Sequence, residues 1–173
     1  MKQIEITVRL NERMQEAIRK LEMQGFEKIR ESEIDDIYMT SKLKELNENN
    51  IQFIELGGVE ANPDITLVRK GVEICKNEGI DFILAVGGGS VLDMAKSLAA
   101  ILDKEYTSVE QLRKAIAEKN TGKPECPWIG IPTTAGTGSE VTCWATVWDS
   151  EKNAKLSLEN KDNYAYAAFV DPE

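Results

Sequence analysis

The chain has 173 residues, 42% hydrophobic and 29% charged, which suits one ordinary globular domain or a domain with a small appendage. A formal net charge of −9 argues against non-specific binding to nucleic acid or to an anionic membrane surface. No apolar run approaches the ~20 residues of a membrane span, the first residues lack an apolar signal core, and an odd count of three cysteines fits a reducing, cytoplasmic compartment.

Residues 2–10 alternate polar and apolar at period two, the pattern of a strand with one wet face. Residues 12–24 follow as an amphipathic helix with Met14, Ile18 and Leu21 on one face, ended by Gly25. Segments 26–30 and 33–39 predict two short strands, and 41–47 a short helix. From 51 the pattern changes to repeated strand–helix units. Residues 51–56 form a strand. Asp64 caps a helix reaching Asn77, with Ile65, Val68, Val72 and Cys75 at helical spacing and Gly79 after its end. The apolar run 81–86 predicts a buried strand, 90–102 a helix rich in Ala and Leu, and 108–118 a helix with Val109, Leu112, Ala115 and Ile116 inward. Residues 127–132 form another buried strand. Residues 141–148 and 155–158 form a strand pair around 149–153, and 166–170 a last strand. Strands alternating with helices imply a parallel α/β sheet. Trp128, Trp144 and Trp148 suit core or edge packing, as does Cys75. Cys75, Cys126 and Cys143 lack paired metal-ligand spacing.

Two stretches carry chemistry. In Ala85-Val86-Gly87-Gly88-Gly89-Ser90-Val91-Leu92-Asp93-Met94-Ala95-Lys96, a strand runs through three glycines into a helix. That order brings bare backbone N–H groups up to a phosphate, because a Cβ at the turn would hold the ligand away. Ser90 and Asp93 also stand at N-cap and N3 spacing, so a capped βα turn built for packing uses the same residues. The second stretch is Thr133-Thr134-Ala135-Gly136-Thr137-Gly138-Ser139-Glu140, after the strand at 127–132. Its hydroxyls and glycines suit a loop wrapped around a polar ligand, or a solvated loop. In a parallel sheet both stretches lie at the carboxyl edge, where ligands of open α/β folds bind.

The Gly87-Gly88-Gly89-Ser90-x-x-Asp93-x-x-Lys96 motif, followed by Ile131-Pro132 and the segment from Thr133 to Thr142, resembles the iron-containing (group III) alcohol dehydrogenases. Gly58-Val59-Glu60-Ala61-Asn62-Pro63 and Val170-Asp171-Pro172-Glu173 resemble further pieces of that family, and residues 144–149 are similar to its phosphonoacetaldehyde reductase-like members. The resemblance covers residues 51–173 and implies a Rossmann-like parallel sheet with flanking helices, truncated relative to the family, that binds NAD or NADP. It implies that Gly87, Gly88, Gly89 and Ser90 hold the cofactor pyrophosphate with Asp93 in the first turn of the helix. By the same resemblance Thr133, Thr134 and Thr137 face the phosphates and nicotinamide ribose, Asn62 lines the cleft, and Lys155 reaches the nucleotide. The family moves hydride between NAD(P)H and an alcohol or aldehyde, with iron or another divalent metal held by one aspartate and three histidines of a C-terminal helical domain. This chain has no histidine, so the resemblance implies a cofactor-binding domain without turnover of its own.

Residues 1–50 depart from that family and resemble instead the start of CYTH-type proteins, through Glu5-x-Thr7-x-Arg9 on the first strand. The middle carboxylate of the CYTH pattern is replaced by Thr7. The expected division is therefore a small α+β segment over 1–50 and a dinucleotide-binding domain over 51–173. A CYTH-like triphosphate-binding protein and a fusion without ligand stand as alternatives. An apolar sheet face or edge left open by loss of the family's first strand and of its partner domain predicts self-association.

Overall fold

In the computed structural model the described residues are 2–6, 52–56, 59 and 61–170. The helix expected at 12–24 and the elements expected between 26 and 47 lie outside them. Five parallel strands form the main sheet in the order β2-β1-β3-β4-β7: β1 (Lys2–Ile6), β2 (Gln52–Glu55), β3 (Phe82–Gly87), β4 (Trp128–Pro132) and β7 (Ala167–Ala168). Among the described residues three helices connect or flank them: α1 (Ile65–Glu78), α2 (Gly89–Ile101) and α3 (Val109–Ala117). An antiparallel pair, β5 (Trp144–Asp149) and β6 (Ala154–Glu159), packs against α2 and α3.

The sheet is where continuous apolar sequence predicts it. Every residue of β3 and β4 is buried, as in parallel sheets covered on both faces. Ile83 and Ala85 join the large core of α1, α2 and the β5–β6 pair, while Phe82, Leu84, Val86, Ile129 and Ile131 form a second cluster. Strand alternation sorts these two sets to opposite faces.

β1 lies between β2 and β3, with Ile4 opposite Ile54 on one side and Ile83 on the other. The strand expected within a separate N-terminal segment is thus an interior strand of the main sheet. It also occupies the edge of β3 that loss of a first strand would leave open. Alternation along a strand tells which of its faces differ, not which strands become its neighbours.

Helix ends follow local chemistry. Asp64 caps α1 by accepting from Thr66 N at 2.8 Å, and Gly79 ends it at φ 62°. Ser108 caps α3 by accepting from Gln111 N at 3.2 Å. Where α1 crosses α2 a glycine sets the spacing: a Cβ on Gly71 would stand 2.8 Å from Leu98 Cδ2, 3.0 Å from Leu56 Cδ2 and 3.1 Å from Met94 Cε. Gly71→Ala is expected to be nearly neutral, because the helix propensity gained, about 1 kcal/mol, offsets contacts that three side-chain tips can relieve. Gly71→Ile overfills the crossing and is expected to lose ~1–3 kcal/mol in urea unfolding.

Candidate functional site

β3 and β4 end side by side. Gly87 stands opposite Pro132 in the parallel register, so the segments leaving them emerge from one carboxyl edge. They then converge. Thr133 N donates to Gly87 O at 2.9 Å. A Cβ on Gly88 would stand 3.3 Å from Thr134 Oγ1, and one on Gly89 would stand 3.2 Å from Thr137 Cγ2. The glycines are what let the threonine loop lie against the turn. Thr134 and Thr137 are exposed there, and Thr133 is half-buried. Gly136 at φ 96° and Gly138 at φ 62° supply bends that other residues rarely adopt.

Asn62 closes a third side. Its backbone N donates to Ser90 Oγ at 3.0 Å. Asn62 itself has φ 66°, a left-handed conformation that asparagine tolerates better than most residues.

The helix start differs from the sequence expectation. The N-cap is Gly88, not Ser90, and no capping box forms with Asp93. Ser90 Oγ is engaged by Asn62, a partner distant in sequence that local spacing does not reveal. The N-terminus of α2 has no side-chain cap and no acidic residue in its first turn. Its first amides and the positive end of its dipole therefore suit an anion.

Asp93 stands behind the turn. Its Oδ1 accepts from Ser139 Oγ at 2.8 Å and its Oδ2 from Thr146 N at 2.9 Å. One turn further on, Lys96 is fully buried. Its Nζ donates to Ser139 Oγ at 2.7 Å, Thr142 Oγ1 at 3.0 Å and Trp144 O at 2.8 Å, which matches all three ammonium N–H groups. It also lies 3.6 Å from Asp93 and 5.7 Å from the centroid of the Trp128 ring. Burial pulls the Lys96 pKa below the usual lysine range, and the Asp93 charge opposes that pull. Lys96 had no role assigned from sequence. The available signal was a lysine three residues after an aspartate in a helix otherwise apolar nearly all round.

Lys155 is exposed on β6, opposite Trp148. Trp148 N donates to Pro63 O at 2.8 Å, which brings the β5–β6 pair against the Asn62 turn. Among the described residues no hydrogen bond joins Lys155 to the two loops.

Asp64 ties the same region together. It accepts from Thr66 at its own helix start, and its Oδ2 accepts from Ser150 N at 3.0 Å and Ser150 Oγ at 2.6 Å. Partial burial pushes its pKa up, but the hydrogen bonds from Ser150 and Thr66 outweigh this and hold it at about 2. A carboxyl depressed from 3.8 to about 2 on folding contributes stability that is complete above pH 3.8 and lost as pH falls through 2. Asp64→Asn is expected to flatten the acid limb of stability between these values, measured by urea unfolding at stepped pH.

Two cysteines are chemically quiet. Burial pushes the Cys75 and Cys126 thiols up to about 12, so neither is a thiolate at neutral pH. The chain has no histidine, and among the described residues no three His, Cys, Asp or Glu side chains are grouped to hold a metal ion. These residues do not fit a catalytic iron. A cleft of about 340 Å³ beside Lys119, Thr121 and Asn160 shares no lining residue with the two loops.

The parallel sheet, the glycine turn into α2 and the threonine loop lying on it define a Rossmann-like α/β protein with a candidate anion site at its carboxyl edge. Comparison with known proteins gives the family: residues 15–172 match iron-containing alcohol dehydrogenase, and the chain belongs to that family. The match begins inside the segment compared with CYTH proteins. The chain is 37% identical over 127 residues to NADH-dependent butanol dehydrogenase B of Clostridium acetobutylicum, covering 73% of this chain and 32% of that protein. It superposes on NADH-dependent butanol dehydrogenase A of Thermotoga maritima with a TM-score of 0.67 at 24% identity, covering 99% of this chain and 37% of the other. Sulfoacetaldehyde reductase from Bifidobacterium kashiwanohense, solved in complex with NAD+, gives a TM-score of 0.66 at 27% identity, covering 96% of this chain and 44% of that one. The chain thus spans about a third of the length of the curated relatives it matches.

Proposed function

We propose that this chain binds NAD(H) or NADP(H) at the carboxyl edge of its sheet and represents the cofactor-binding part of a metal-dependent alcohol dehydrogenase. The observation that carries this is the contact of Thr134 and Thr137 with the places where Cβ atoms of Gly88 and Gly89 would be. It leaves amides and hydroxyls together at an uncapped helix start, a combination suited to a diphosphate. In this reading Gly87, Gly88, Gly89 and Ser90 receive the pyrophosphate, and Thr133, Thr134 and Thr137 face the phosphates and the nicotinamide ribose. Asn62 walls the cleft through Ser90, and Lys155 reaches the nucleotide only by its long side chain. Asp93 acts from behind, on the loop.

The names of the relatives support a nicotinamide cofactor and alcohol or aldehyde substrates. Hydride transfer in the family reading needs a metal to polarise the substrate oxygen, and the residues described here supply no such site. The polypeptide alone is therefore expected to bind cofactor and to show no alcohol or aldehyde turnover. Titration with NADH and with NADPH, followed by nicotinamide fluorescence, tests the first part. Saturable one-to-one binding that is displaced by the oxidised cofactor is expected. Absence of saturation at millimolar cofactor would remove the reading.

A further inference from the structure

We infer that Lys96, acting with Asp93, is a positioning residue that latches the threonine loop in the conformation able to receive a ligand. The inference rests on the cofactor-binding reading for its purpose and on geometry for its mechanism.

The loop has two anchors. At its start Thr133 N is held by Gly87 O at 2.9 Å. At its end Ser139 is held twice from α2, by Asp93 Oδ1 at 2.8 Å and by Lys96 Nζ at 2.7 Å. Lys96 then grips Thr142 and Trp144 beyond it. Between the anchors, residues 134–137 are exposed, and Gly136 and Gly138 have positive φ. A short exposed segment with two glycines has many accessible conformations, so its shape depends on its ends.

The chemistry of the latch is informative. A fully buried ammonium is costly to desolvate, and an apolar side chain of similar length would pack beside Trp128 and α2 without that cost. What the ammonium alone provides is three directed bonds to three separate points of one segment. Ser139 links the two charged residues, because its hydroxyl accepts from Lys96 and donates to Asp93. The latch therefore orients the loop that faces Gly88 and Gly89 without itself touching a ligand.

The test uses the full chain and two readouts. Amide hydrogen exchange reports loop opening without any cofactor, and an NADH titration reports the consequence. Lys96→Met is one atom shorter, keeps most of the unbranched side chain and removes all three donors. Exchange at the hydrogen-bonded amides of Ser139, Val141 and Thr142 is expected to quicken by about tenfold or more, the scale of a lost hydrogen-bonded anchor, and NADH affinity is expected to weaken by a similar factor. Ile116→Ala in α3 serves as the control: it lowers the melting temperature and leaves both loop exchange and affinity unchanged. Should Lys96→Met fail to fold, Ser139→Ala and Thr142→Val remove acceptors from an intact lysine and must each quicken the same amides. Unchanged exchange at Ser139, Val141 and Thr142 in a folded variant overturns the latch. If the unmutated chain does not bind NADH, the function proposed above fails, and exchange alone still decides the latch.

Discussion

Gly88→Val is expected to weaken NADH binding by about a hundredfold while leaving the fold intact. The backbone at Gly88 has φ −74° and ψ −178°, ordinary extended values that valine adopts without strain. Its Cβ would stand 3.3 Å from Thr134 Oγ1, and Thr134 is an exposed side chain that can turn aside. Stability is expected to fall by only about 1 kcal/mol, the scale of a poorer N-cap residue at the start of α2. The methyl groups, however, fill the space between the turn and the threonine loop. A phosphate kept from the amides at the start of α2 loses charge-assisted hydrogen bonds of ~1.5–3 kcal/mol each, and about 2.7 kcal/mol corresponds to a hundredfold. Calorimetric titration with NADH, alongside a thermal melt, measures both quantities. A variant that binds as tightly as the original chain would show that the turn does not face the ligand.

Asp93→Ala is expected to cause a large loss of stability in addition to loosening the threonine loop. It removes the acceptor of Ser139 Oγ and of Thr146 N, and it leaves the buried Lys96 ammonium without its nearby carboxylate. Removing one partner from a buried, hydrogen-bonded charge pair costs ~3–5 kcal/mol, mostly because the other charge stays buried. Asp93 is partly exposed, so the lower end, about 3 kcal/mol, is expected in urea unfolding. The double variant Asp93→Ala with Lys96→Met is expected to be less destabilised than the sum of the single variants, since no uncompensated ammonium remains. Simple additivity would mean that the two residues act separately.

The sequence revealed most where structure is set locally. Asp64 before α1 and Gly79 after it are capping residues whose effect acts within a turn of helix, and both are found in those roles. The continuous apolar runs of β3 and β4 identify buried parallel strands without further help. Their parallel pairing then brings the two loops to one edge.

What the sequence hid depends on distant partners. Ser90 has the hydroxyl of an N-cap, but Asn62 engages that hydroxyl and the cap falls to Gly88. Residues 141–143 have strand-like composition, yet Lys96 pulls on Thr142 and Trp144, and Ser139–Val141 form a 3-10 turn ahead of β5. The last strand is likewise shorter, only Ala167–Ala168. Trp144 at the start of β5 is exposed rather than packed, while Trp128 is fully buried under Lys96. No local pattern distinguishes those two tryptophans.

The account depends most on the glycine turn and the threonine loop forming one ligand site. Titrating the 15N-labelled chain with NADH tests this directly, because each amide reports its own surroundings. The account predicts saturable shifts, fitting a single dissociation constant, at Gly88, Gly89, Ser90, Thr134 and Thr137. Shifts confined to the cleft around Thr121 and Asn160, with these five amides unmoved, would contradict it.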